Sequence, residues 1–173
     1  MAGAQLRIRS ATSEDALAIT DLHASAWRAG YRGLFEPNQL ERAVADRRDR
    51  WTDLLSSQLN LGVFLLIAER EEKLVAFAHA GPAQEHEGDL KIYSFYAHPS
   101  YWGTGVAREL MTHVLSTATG LGYQRVYLSA YRESARARKF YENLGFQETG
   151  EMTESHFPDG FVVIDVEYVK RLD

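Results

Sequence analysis

A chain of 173 residues with a formal net charge of −5 is long enough to bury a sizeable core as one domain without metals or crosslinks. It has no cysteine, which excludes disulfides, thiolate metal sites and an acyl-cysteine intermediate. Charges of both signs are interspersed, so there is no broad basic field for nucleic acid. The longest apolar run, Leu61 to Ala68, is too short to cross a bilayer, and Met1 to Ser10 holds no signal-peptide core. No membrane association and a cytoplasmic location are therefore expected.

Leu6 to Arg9 alternates like a strand, and Thr12 with Asp15 forms a helix-start pair in which the hydroxyl accepts a backbone N–H. Ala16, Ile19, Leu22 and Ala26, three or four apart, predict a helix to about Arg28, interrupted beyond it by Gly30 and Gly33. Pro37-Asn38 opens a second helix, charged from Glu41 to Arg50 and apolar at Trp51, Leu54, Leu55 and Leu59. Val63 to Ala68 and Leu74 to Ala80 flank the polar Arg70-Glu71-Glu72-Lys73 and read as a hairpin closed by Pro82. The acidic stretch Ala83 to Asp89 is a loop, and Leu90 to Ala97 a strand.

Beyond that strand, Val106, Leu110, Val114 and Leu115 mark an amphipathic helix ending near Gly120 and Gly122. Gln124 to Ala130 is a further strand, and Ser134 caps a helix with the apolar face Ala137, Phe140, Tyr141 and Leu144, stopped by Gly145. Phe146 to Met152 and Phe161 to Tyr168 are strands around a Pro158-Asp159-Gly160 turn. The order β-α-α-β-β-β-α-β-α-β-β suits an α+β domain with helices on both faces of a mixed sheet.

The chemistry concentrates where Ile92 to Ala97 runs into His98-Pro99-Ser100-Tyr101-Trp102 and then Gly103-Thr104-Gly105-Val106-Ala107 at a helix start. Unpaired N–H groups and the helix dipole favour a phosphate there. A P-loop would need Gly-Lys-Ser/Thr at the helix entry, where Val106 and Ala107 follow Gly105; a dinucleotide fingerprint would need Gly or Ala in place of Arg108. With Phe95-Tyr96-Ala97-His98-Pro99 before the turn and Phe140-Tyr141-Glu142-Asn143-Leu144-Gly145-Phe146 after it, the chain resembles the GCN5-related N-acetyltransferases (GNAT), which bind acetyl-CoA. Their Gln/Arg-x-x-Gly-x-Gly/Ala pattern falls on Trp102, Gly105 and Ala107, Trp102 being a departure. The resemblance is strongest over Asp89 to Gly150.

The resemblance implies the family's acyl-CoA N-acyltransferase fold: a central mixed, mostly antiparallel twisted sheet of about seven strands, in one domain over 1–173. The CoA-binding core would be about 89–150 and the acceptor-side helices about 12–59. The strand ending at Ala97 would splay from the one near Gln124 to admit the pantetheine arm, paired by backbone at Phe95, Tyr96 and Ala97. Amides of Gly103, Thr104, Gly105, Val106 and Ala107 would hold the diphosphate, with Arg108 adding charge. Trp102 would stack on the cofactor or pack the loop. Ser134 stands where relatives often carry an asparagine, and is equally a helix cap. Arg132, Arg136, Arg138 and Lys139 would meet the adenosine 3′-phosphate or form a solvated face.

Acyl transfer from a thioester needs no metal and no enzyme nucleophile, only positioning, oxyanion stabilisation and proton movement. Tyr141 matches the family's general acid, against a plain core role. The family's strand glutamate is replaced by Lys91, which leaves Glu85, His86, Glu87 and Asp89 as candidate bases, with Glu87, Asp89 and His86 retained. Trp27, Tyr31 and Arg32 would wall an amine pocket, its cation drawn by the acidic 85–89 loop, or would pack on the sheet. The expectation is transfer of acetyl from acetyl-CoA to a primary amine of a small molecule or peptide in a ternary complex, with a homodimer suggested by the resemblance. The alternatives are a non-catalytic acyl-CoA-binding or sensing domain of this fold, and a protein-interaction domain without a cofactor site.

Overall fold

The computed structural model describes residues 5–57, 62–157 and 160–173; Leu59, Leu61 and the expected turn residues Pro158 and Asp159 lie outside them. In chain order the elements are β1 (Arg7–Ser10), α1 (Ala16–Gly30), α2 (Pro37–Ala45), α3 (Arg50–Ser56), β2 (Phe64–Arg70), β3 (Lys73–Pro82), β4 (Leu90–Ala97), α4 (Val106–Gly120), β5 (Arg125–Tyr131), α5 (Ala135–Asn143), β6 (Gln147–His156) and β7 (Val162–Arg171). The strands form one sheet in the order β1-β2-β3-β4-β5-β7-β6. Every pairing is antiparallel except β4 beside β5. This is the α+β architecture with a mixed, mostly antiparallel sheet of seven strands.

Helices cover both faces. On one, α4 places Val106, Leu110, Met111 and Val114 against Ala76, Ala78 and Ala80 of β3, whose small side chains let the helix approach closely. On the other, Ile19 and Leu22 of α1 and Trp51 of α3 pack on Leu65, Ile67 and Phe77. Alternation along β2 thus feeds two cores, Leu66 and Ala68 to the first and Leu65 and Ile67 to the second. Each large side chain fully buried in this way contributes roughly 1.5–3 kcal/mol. The β2–β3 hairpin turns on Glu71 and Glu72, both at positive φ (52° and 61°), the geometry whose twist matches the flanking strands.

One local expectation is corrected. The single helix read from Pro37 to Leu59 is two, because residues 46–49 tighten into three-residue turns with Arg47 N–H to Val44 O at 3.2 Å and Arg48 N–H to Ala45 O at 3.1 Å. The break sends Leu40 and Ala43 of α2 into a third, aromatic cluster with Trp27, Phe35 and Val163, while Trp51 of α3 enters the second core. At the start of α1 the expected Thr12–Asp15 capping box is present, and Asp15 accepts the Thr12 N–H at 2.7 Å and the Thr12 hydroxyl at 3.1 Å. Its other partner is Arg9, which also grips Glu69 at 2.6 Å and ties this corner to β1 and β2.

β4 carries the irregularity on which the site depends. Opposite β3, His79 pairs with Ser94 but Ala80 with Ile92, so Tyr93 is an extra residue in a bulge. Pairing of β4 with β5 stops at Ile92–Leu128, whereas β5 continues beside β7 to Tyr131–Asp165. The two parallel strands therefore diverge into a wedge.

The buried histidines make folding sensitive to acid. Trp51 Nε1–H donates to His23 Nδ1 at 3.0 Å, and burial, with Arg50 and Arg47 nearby, pushes His23 down to about 3. Burial and Arg50 push His79 down to about 4. The unfolded chain takes up these protons near pH 6.5 and the folded one does not, so stability falls as pH drops below that value. At pH 5 each group costs about 2 kcal/mol. Thermal denaturation should show a lower midpoint at pH 5 than at pH 7, and His79→Phe should shrink that difference; equal pH sensitivity in the variant would contradict the assignment.

Candidate active site

Two cavities open from opposite faces of the sheet into the β4–β5 wedge. The first, about 380 Å³, is walled by Phe95 and Ala97 of β4, by Trp102, Gly103, Gly105 and Arg108 of the glycine turn, and by Arg136, Phe140 and Tyr141 of α5. The second, about 280 Å³, lies under α1 and the α2–α3 corner, and includes Trp27, Tyr31, Arg47, Arg50, Ser94, Tyr96, Tyr131 and Asp165. Phe95, Ala137 and Tyr141 belong to both. The strand period explains the division: after the bulge, Phe95 and Ala97 face α5 while Ser94 and Tyr96 face α1. Phe95 and Ala97 thus lie in the groove expected for the cofactor, and Tyr96 turns instead to the second cavity, where its hydroxyl accepts from Trp27 Nε1–H at 2.9 Å.

The glycine turn is shaped by conformation rather than by crowding. Gly103 and Gly105 have φ of 76° and 90°, and a Cβ on either would meet nothing within 4 Å; only the left-handed backbone demands glycine. Gly105 is the N-cap of α4, and the first helix bond is Glu109 N–H to Gly105 O at 3.0 Å. The N–H groups of Val106, Ala107 and Arg108 therefore lie free at the helix start, as the first turn of any helix leaves them. Val106 itself is fully buried and anchors the turn. Thr104 turns its hydroxyl to the Tyr101 carbonyl at 2.6 Å.

Trp102 packs the loop. Its Nε1–H donates to the Ala97 carbonyl at 2.9 Å, pinning the end of β4 to the turn, and its ring carries the Arg136 guanidinium 3.5 Å above it. Of the four basic residues on this stretch, Arg136 is the one that lines the groove. Arg132 pairs with Glu133 at 2.9 Å, and Arg138 pairs with Glu148. Burial lowers the Arg136 pKa, and no carboxylate faces it among the described residues. Ser134 occupies the N-cap of α5 but takes no side-chain cap hydrogen bond, and it is buried outside both cavities.

Tyr141 sits where the cavities meet. Its hydroxyl has no hydrogen-bond partner among the described residues, and burial, together with the neighbouring Tyr96, raises its pKa despite the opposing field of Arg136. It is a phenol at neutral pH.

The acidic loop is otherwise employed. His86 bonds Glu167 at 2.9 Å and stacks on Tyr127 with centroids 3.7 Å apart. Asp89 pairs with Arg125 at 2.9 Å and Glu85 with Lys91 at 3.3 Å. Glu87 is exposed. None of His86, Glu87 and Asp89 lines either cavity, so the wedge does not bring the three expected bases together with Tyr141. Arg32 is likewise exposed, while Trp27 and Tyr31 line the second cavity. The acid that reaches this cavity is Asp165, accepting from the Ser155 hydroxyl at 2.5 Å. Its signal in the sequence is a lone carboxylate inside the apolar run Val162-Val163-Ile164-Asp165-Val166.

Residues 18–146 match the model of the acetyltransferase (GNAT) family, and the chain belongs to that family. An uncharacterised N-acetyltransferase of Mycobacterium bovis is 31% identical over 103 residues, which are 58% of this chain and 65% of that protein's length. The L-methionine sulfoximine/L-methionine sulfone acetyltransferase of Salmonella typhimurium is 24% identical over 86% of this chain and 84% of its own. The PaiA N-acetyltransferase of Thermoplasma acidophilum, solved in complex with coenzyme A, shares the fold with a TM-score of 0.80 at 17% identity, over 96% of this chain and 99% of that one. No helix among the described residues is long and apolar enough to cross a membrane.

Proposed function

We propose that this protein is an N-acetyltransferase that moves the acetyl group of acetyl-CoA onto a primary amine of a small molecule by direct attack in a ternary complex. The observation that carries the reading is the meeting of two cavities, one on each face of the sheet, at the unpartnered hydroxyl of Tyr141. A domain that only bound or sensed acyl-CoA would need the first cavity alone. The mycobacterial match spans 65% of that relative's length, and the Salmonella relative is named for small amines. One sheet spanning β1 to β7 supports a single domain over 1–173, and the family resemblance supports a homodimer and a cytoplasmic setting.

The residues present fit acetyl-CoA. The amides of Gly103 and of Gly105 to Arg108, with the stacked Arg136, would hold its diphosphate, the Thr104 N–H being taken by the Tyr101 carbonyl at 3.3 Å. The free edge of β4 from Ser94 to Ala97 would pair with the pantetheine amides and steady charge on the acetyl oxygen. Acetyl-CoA supplies an already activated thioester. Tyr141, a phenol at neutral pH, then gives its proton to the departing sulfur. Asp165, with Ser155 beside it, takes the proton that the amine releases as the new C–N bond forms. The Trp27–Tyr96 pair keeps the acceptor wall fixed.

Tyr141→Phe should lower kcat roughly 100-fold or more, with acetyl-CoA affinity by calorimetry unchanged; unaltered thiol release with a turned-over amine would remove Tyr141 from this role. Arg136→Ala should weaken acetyl-CoA binding roughly 10-fold or more, the loss of a charge-assisted hydrogen bond, while Arg138→Ala should not. Equal effects in the two variants would assign the charge to the surface at large.

A further inference from the structure

The α2–α3 corner delivers two guanidinium groups into the acceptor cavity. Arg47 lies over Trp27 at 4.4 Å and over Phe157 at 5.2 Å, and its Nη1–H donates to the Ala43 carbonyl at 2.9 Å. Arg50 lies over Trp51 at 5.1 Å. Neither has a carboxylate partner among the described residues, in contrast to Arg28, whose nearby Glu41 sits at 2.7 Å. The acidic neighbours Asp46 and Asp49 do not line this cavity, whereas Arg50, although also partly exposed, does. The acid that lines it, Asp165, is engaged by Ser155, and His23 is neutral because its Nδ1 is occupied by the Trp51 N–H.

The cavity therefore holds more positive than negative charge, although the substrate it is to receive is an amine. A site selecting on the amine alone would invert that balance. Two unneutralised guanidiniums held on aromatic rings in a shared pocket match the flat fork of a carboxylate. The volume, about 280 Å³, lies at the small end of ligand pockets, and Phe35, Tyr131 and Phe157 leave an apolar wall beside the charges. Tyr96 lines the same cavity as both arginines and Tyr141.

We infer that the acceptor is a free amino acid whose carboxylate docks on Arg47 and Arg50, directing its amine past Tyr96 to Tyr141 and Asp165. The inference rests on the acetyl-transfer reading above and adds the substrate class. No bond changes at the arginines; they position the amine for the transfer already described.

The test is thiol release from acetyl-CoA over the common L-amino acids, each apolar one paired with the amine lacking its carboxylate, such as leucine with isopentylamine and phenylalanine with phenethylamine. An amino acid should be used roughly 10-fold or more better in kcat/KM than its decarboxylated partner. Arg50→Gln should raise KM for the amino acid by about that factor, raise it clearly less for the simple amine, leave acetyl-CoA affinity unchanged, and be partly rescued by Arg50→Lys. The amine-free acids 4-methylpentanoate and 3-phenylpropanoate should compete with the acceptor in the wild type and lose potency in Arg50→Gln. Simple amines used as well as amino acids, or an Arg50→Gln effect equal on both, would overturn the amino-acid assignment and leave acetyl transfer standing. Bound acetyl-CoA with no transfer to any amine would overturn the transfer reading itself, and this inference with it.

Discussion

The wedge between β4 and β5 is the constraint from which the site follows. Parallel strands joined by an α4 crossover would ordinarily pair along their length. Here the extra residue at Tyr93 bends β4 just where its pairing with β5 ends at Ile92–Leu128, as bulges do beside active sites. Three consequences come from one irregularity. The edge of β4 from Ser94 onward is left with free backbone groups, the side chains beyond the bulge exchange faces, and a passage opens through a sheet otherwise sealed by cores on both sides. Unpaired backbone in that position is costly unless something pairs with it, and an extended amide-bearing arm is the ligand that would.

The donor side shows how a departure from a family pattern is absorbed. Where the pattern has Gln or Arg, Trp102 uses its indole to hold the end of β4 at Ala97 and gives Arg136 an aromatic seat. The charge missing from the loop thus arrives from α5 instead. A guanidinium retains its charge and its donors while stacked, because the ring meets its flat face and leaves the edge N–H groups free. The turn keeps its free N–H groups at the start of α4, and the guanidinium nearest them comes from across the groove.

Most of the fold was legible because it depends on short-range patterns. The apolar spacing of α1 and α4, the alternation of β2, the Arg70-to-Lys73 hairpin and the glycines stopping α4 and α5 each act within a few residues. So did the glycine turn and Tyr141, which carry motif positions. What escaped was decided by contacts between distant segments. Charged residues 46–49 continue the helical pattern of α2, and only the need of Leu40 and Trp51 to reach different cores breaks it. His86 looked like a base by its intrinsic chemistry, but Glu167, 81 residues away, occupies it. Asp165 and Arg136 reach the cavities through strand register and helix packing, neither of which a local window shows.

The two halves of the site are built with different freedom. The groove beside the glycine turn rests on α4, whose buried face is packed against the alanines of β3, and on backbone groups that no side-chain substitution removes. The cavity on the other face is assembled from side chains of α1, the α2–α3 corner, β5 and the β6–β7 hairpin, held by ring contacts such as Phe35–Phe161 at 4.7 Å and Trp27–Tyr31 at 4.9 Å. Changing Arg47, Arg50 or Phe157 alters what that cavity holds without touching the glycine turn, since the sheet stands between them. A fold divided in this way can keep one acetyl donor and exchange acceptors by substitutions confined to one face, and the break between α2 and α3 is the step that brings the charges of this chain to that face.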